Sequence, residues 1–245
     1  LSLDRGDLWD ERTPEIFADP EWTWAGMQKL VQAKNMSRFH QLFDEPYDRI
    51  PYPTKLPGGR LVIERQGGGA VREFALDMRH GEAVARYATD SVQAVVLAHR
   101  PVMLLRIPGA VTVRFEPSAG VTKLGYTAAT VTSDSYLQEG ALGLKYGAVV
   151  RQQLRGDTTL LAVTLATSSE GADPLAIGRA RADLALREGW RTAVTVNRAW
   201  WKRHWAVSGV TLPDAALQRD YDLVHYFYGA AGRRGAPPIP LQGVW

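Results

Sequence analysis

Between residues 59 and 168 hydrophobic and polar side chains alternate with a period of two. GRLVIERQ, AVREFALDMRHGEAVARY, SVQAVVLAHRPVMLLRI, AVTVRFEPS, ALGLKYGAVVRQQL and TTLLAVTLATSS are rich in Val, Leu, Ile and Thr, and GGG, RHGE, HRP, IPGA and RGDT punctuate them. Arg79–Glu82 is the expected tip of a hairpin. No helical pattern interrupts these segments, which predicts antiparallel sheets packed as a large sandwich rather than βαβ units.

The flanks read differently. Residues 1–57 are irregular: LSL predicts a short strand, GDLWDE the turn after it, and PYPTKLPGG a loop. DPEWTWAGMQKLVQA has helical spacing at Trp24, Met27, Leu30 and Val31, and NMSRFHQLFDEPYD predicts a second short helix ended by Pro46. After SSEGADP the period returns to that of helices. Asp173 and Pro174 open one, with Gly189 near its C-terminus. Trp201 and Trp205 then fall on one face, and a last helix with Pro213 in its first turn carries the stripe Leu217, Tyr221, Val224 and Tyr228. A mainly β domain over 1–168 is thus expected to hand over to aromatic-rich helices over 169–245.

Composition narrows the function classes. Over 245 residues, 45% hydrophobic and 22% charged is ordinary globular composition, and a net charge of +3 with scattered Lys and Arg argues against a nucleic-acid partner. There is no apolar run of about 18 residues, hence no membrane helix is predicted. The absence of cysteine removes disulfides, thiolate zinc sites and thiol catalysis. It leaves the compartment open, with a secreted or periplasmic location as the expectation.

Candidate chemistry is sparse. Asp4, Asp7, Asp10 and Glu11 crowd the segment LDRGDLWDER. Paired carboxylates serve hydrolysis, but this spacing does not match a calcium loop, and caps or partners for Arg5 and Arg12 are the stronger reading. His40, His80, His99, His204 and His225 form no ligand pair at metal spacing, so no metal and no cofactor are expected. QGGGAVREF precedes a strand rather than a helix and is not a phosphate loop, and no nucleophile–base pair stands in recognisable spacing. The aromatics Trp190, Trp200, Trp201, Trp205, Tyr221, Tyr226, Phe227 and Tyr228 allow sugar stacking. Packing of the helices against the sheet is the stronger reading, because each buried aromatic contributes about 1.5–3 kcal/mol.

SLDRGDLWDER, the strands ending in HRPVMLLRIPG, and NRAWWKRHWAVSG through GAPPIPLQGVW resemble the N-terminal portion of family 95 glycoside hydrolases over nearly the whole chain. That family includes α-L-fucosidases and some relatives acting on galactosides, and its wider clan includes the family 65 phosphorylases. The resemblance implies an N-terminal β-sandwich, linker helices and then an (α/α)6 catalytic barrel. It also implies an oligosaccharide substrate, and it places the family's catalytic residues beyond Trp245, so none is assigned within the chain. Arg233, Arg234, Gln242 and Trp245 are the positions it implies near the substrate pocket, where an Arg fork suits hydroxyl or carboxylate recognition. The commoner fucosidase pattern has Asn where Asp4 stands, which points to a divergent branch. LSLDRGDLW starts without Met, and the tail finishes on Leu241, Val244 and Trp245. The chain is therefore expected to be a piece of a longer one, with the catalytic barrel as the missing partner. A free-standing carbohydrate-binding or scaffolding sandwich is the alternative, and a phosphorylase of the related clan a third.

Overall fold

The computed structural model describes residues 1–239. In chain order its elements are β1 (Trp9–Asp10), α1 (Trp24–Gln32), α2 (Met36–Phe43), α3 (Glu45–Arg49), β2 (Thr54–Lys55), β3 (Arg60–Arg65), β4 (Val71–Asp77), β5 (Glu82–Tyr87), β6 (Ser91–Val96), β7 (Val102–Pro108), β8 (Val111–Glu116), α4 (Ala119–Lys123), β9 (Thr130–Val131), β10 (Ser135–Glu139), β11 (Lys145–Arg155), β12 (Thr158–Thr167), α5 (Pro174–Val207) and α6 (Ala215–Ala231).

Eight strands form one antiparallel sheet in the order β4-β5-β6-β7-β12-β11-β10-β9. A β3–β8 ribbon lies over one of its faces. Leu61 and Phe115 from that ribbon, with Leu8 and Leu56, pack on Leu105, Ile107, Tyr146, Ala148, Val150, Leu161, Val163 and Leu165. The opposite face carries Val95, Leu97, Val102, Leu104 and Ala162 against Ala182, Ala185, Ala193 and Val194 of α5. β12 is covered on both sides, so seven consecutive residues from Leu161 to Thr167 are buried and its alternation disappears. The sandwich and its order before the helices agree with the sequence reading.

Small residues let α5 lie close to the sheet. Gly178, Ala182 and Ala185 are buried at helical spacing, and a β-carbon at Gly178 would sit 2.8 Å from Val149 Cγ2. Gly189, at φ 75° and ψ 167°, breaks the helix, so the two segments expected from the sequence run as one element with a kink. Beyond it, Trp205 Nε1 donates to Met78 O at 3.2 Å and Asn197 Nδ2 to His80 O at 3.0 Å, which docks α5 on the β4–β5 tip. The predicted tip is thus a packing surface as well as a turn.

Three expectations are corrected, and one strand, β10, was not expected. The loop PYPTKLPGG contains β2, which pairs with β1 inside the expected turn GDLWDE, while the expected strand LSL makes a single bridge, Ser2 to Arg60. Pro46 begins α3 instead of ending α2, as suits a residue without an amide hydrogen. The segment over β10 carried no strand pattern because Ser135 and Gln138 are buried polar residues. Of the stripe expected on α6, Leu217, Val224 and Tyr228 face outward, 60%, 51% and 64% exposed, while Tyr221 is half-buried and meets the His225 ring at 5.8 Å. The helix packs instead through Tyr226, His225 and the buried Gly229.

Candidate functional site

The acidic segment at the N-terminus is a lattice of ion pairs. Arg5 donates to both oxygens of Asp7 at 2.7 and 2.8 Å, and to Glu170 Oε2 at 2.6 Å. Glu170 also accepts from Arg181 Nη2 at 2.7 Å, and Asp4 pairs with Lys55. Asp10 is fully buried and accepts from Arg12 Nε at 2.9 Å and Nη2 at 2.6 Å. The Arg12 guanidinium lies 4.2 and 4.8 Å from the ring centroids of Tyr52 and Tyr126. Burial and the neighbouring Asp10 charge push the Tyr126 hydroxyl up to about 12. Asp7 and Asp10 are partners of Arg5 and Arg12, as the spacing suggested, whereas Asp4 is held by Lys55, 51 residues away in the chain.

The aromatic residues after Gly189 bind α5 to α6. Trp201 is 1% exposed and stacks on Tyr226 at 4.8 Å. His204 stacks on Trp200 at 5.3 Å and meets the His225 ring at 4.7 Å. Gly229 permits this contact, since a β-carbon there would lie 2.5 Å from His204 Nε2. Burial holds the His204 pKa below the ordinary histidine value. The packing reading of these rings is the one the geometry supports.

Where the end of α6 approaches the N-terminal lattice and the β6–β7 turn, a cleft of roughly 920 Å3 opens. Its charged lining comes from four separate stretches: Asp4 and Arg5, His99 and Arg100, Glu170 and Arg181, and Arg233 and Arg234. Arg233 is held firmly. Its Nε donates to Gly229 O at 3.2 Å, its Nη1 to Leu97 O at 3.3 Å and Ala98 O at 3.2 Å, and the guanidinium lies 5.3 Å from the Trp200 ring. Burial lowers its pKa. Arg234 is exposed and makes no hydrogen bond or ion pair among the described residues. Gln242 and Trp245 lie outside the described residues.

Burial opposes ionisation of Glu170, yet the hydrogen bond from Arg181 and the charge of Arg5 hold its pKa below the ordinary carboxylate value. A general acid needs the opposite shift. Burial and the Arg100 charge lower the His99 pKa. Among the described residues no group of three or more His, Asp or Glu side chains is placed to hold a metal ion, and no helix is long and apolar enough to cross a membrane. The two arginines were reachable from the sequence through the family resemblance. Glu170 and His99 were not, because only the fold brings residues 4, 99, 170 and 233 to one place.

No family model matches the chain, and no curated protein matches it. Among solved structures, one described as a kojibiose phosphorylase from the human microbiome is 12% identical, with a TM-score of 0.39 over 72% of this chain and 31% of its own. The chain thus spans about a third of the length of that structure. A likeness of that degree decides nothing about the site, and the fold above rests on the strand pairings themselves.

Proposed function

We propose that the chain is the N-terminal part of a glycoside hydrolase of the family-95 kind, cleaving a terminal fucose- or galactose-like sugar from oligosaccharides. Residues 1–168 serve as the sandwich domain and 169–245 as the linker helices leading into an (α/α)6 barrel, with catalysis by residues beyond Trp245. Arg233 and Arg234, with Gln242 and Trp245, contribute to the substrate pocket. The observation that carries this reading is the joint position of the resembling segments. SLDRGDLW builds the ion-pair lattice, WWKRHW packs α5 on α6, and AAGRRG closes the cleft that the lattice lines.

The test compares this chain with a product extended past Trp245 on nitrophenyl fucosides and galactosides. The extended product is expected to turn over and residues 1–245 to be inert. Mutation-sensitive hydrolysis by residues 1–245 alone would overturn the assignment. One observation favours the non-catalytic carbohydrate-binding alternative: Phe74, on edge strand β4, is 76% exposed. Glycan binding by this chain that is lost in Phe74→Ala would support it.

A further inference from the structure

The charges lining the cleft do not cancel. Five arginines face it, Arg5, Arg100, Arg181, Arg233 and Arg234, against the carboxylates of Asp4 and Glu170. Those two are already engaged, Asp4 by Lys55, and Glu170 by both Arg5 and Arg181. Arg100 pairs with Glu188. Arg233 and Arg234 are left with no carboxylate among the described residues.

Arg233 is the more informative of the two. A half-buried guanidinium normally sits against a carboxylate, because desolvating a cation without a counter-charge is costly. This one is anchored by three backbone carbonyls and an indole face, all of them neutral. Its Nη2, between the engaged Nε and Nη1, makes no hydrogen bond to any described residue, so one amino group is held in place with its N–H donors open there. Arg233 also reaches His99, whose pKa is lowered by burial first and then by the charges of Arg100 and Arg233, against the opposing charge of Glu188. Arg234 adds a second fork on the next residue, free to move onto a ligand.

We propose that this cleft binds the carboxylate of an acidic sugar, a uronic acid, through the fork of Arg234 and the Nη2 amino group of Arg233. A guanidinium edge matches a carboxylate in two parallel hydrogen bonds, and a cleft of roughly 920 Å3 accommodates one or two sugar rings. The side chains of Tyr228 and Ile239 supply an apolar wall for a ring face. The oxyanion site follows from the charges; that the anion is a sugar rests on the carbohydrate reading above.

The experiment is calorimetric titration of this chain with glucuronate and galacturonate, beside galactose, fucose and inorganic phosphate, repeated with Arg234→Gln. Because Arg234 is exposed, the variant keeps the fold, which circular dichroism checks. The uronates are expected to bind, with affinity falling at high salt and dropping tenfold or more in the variant, roughly the effect of one lost charged hydrogen bond. Equal binding of galactose, no change in Arg234→Gln, or no binding of either acid would overturn the proposal. Arg234-dependent binding of phosphate without uronate would overturn the sugar acid and keep the oxyanion site. Binding is read without turnover, so the site can fail while the hydrolase assignment stands, and the reverse.

Discussion

Replacing Arg12 by Leu strips a fully buried carboxylate of its partner. Asp10 has no exposed surface, whereas the Arg12 side chain keeps 34% of its own. Fully buried pairs cost about 3–5 kcal/mol when one member is removed, and exposed pairs about 0–1. The intermediate position of Arg12 sets the expected loss at about 2–3 kcal/mol, a lowering of the urea midpoint by about 1 M. The sign of the pH dependence should reverse as well. In the native protein Arg12 holds the Asp10 pKa below its ordinary value, although burial works the other way. That contribution is present above the unfolded carboxylate pKa and is lost as pH falls through the folded one. In Arg12→Leu the guanidinium is gone and burial, the largest influence on Asp10, is opposed only by the Tyr126 hydroxyl and the residue-12 amide, so the pKa should rise and protonating Asp10 should restore part of the loss as pH falls below about 5. Urea unfolding followed by tryptophan fluorescence between pH 4 and 8 reads both effects, with Asp10→Asn/Arg12→Leu as the expected rescue. Parallel pH profiles for the variant and the native chain, or a loss below about 0.5 kcal/mol, would refute the buried-pair reasoning.

Two further outcomes follow from the packing of α5 and α6. Gly81→Ala should destabilise strongly, since Gly81 has φ +65° and an added β-carbon would stand 2.1 Å from Trp201 Nε1. The left-handed backbone costs about 1–3 kcal/mol and overpacking about 1–3 more, so thermal melting that matches the native chain would show that Trp201 does not seat there. His204 is held neutral by burial, so the unfolded chain takes up its proton first. Stability is then complete above the ordinary histidine pKa of about 6.5 and declines as pH falls through it. His204→Phe should flatten part of that decline in denaturant titrations, the remainder belonging to His99, whose pKa is also lowered by burial; an unchanged slope would remove His204 from the cause.

The alternating strands were legible because one face meets the β3–β8 ribbon and neighbouring strands keep a polar side. The helix run after SSEGADP was legible from Asp173, Pro174 and Gly189, which act locally as N-cap side chain, first-turn residue and kink. What escaped depended on partners distant in the chain. β10 buries Ser135 and Gln138, and the Gln138 amide donates to Thr127 O at 2.8 Å, a satisfaction that no hydrophobic pattern announces. α6 presents Tyr226, His225 and Gly229 to α5 because the indoles of Trp201 and Trp205 and the His204 imidazole need flat and small neighbours, so its aliphatic stripe pointed the wrong way. At the cleft, the sequence supplied Arg233 and Arg234 through family resemblance alone. That neither meets a carboxylate among the described residues became visible only with Glu170, Asp4 and Glu188 in place.

Product analysis by proton NMR tests the proposed hydrolase assignment most directly. The product extended past Trp245 is incubated with fucosyl and galactosyl oligosaccharides, with and without inorganic phosphate. Hydrolysis predicts release of the free monosaccharide at a rate that phosphate does not change. Appearance of a sugar 1-phosphate only when phosphate is present would contradict the hydrolase assignment, and no release from any glycoside would contradict the carbohydrate-active reading altogether.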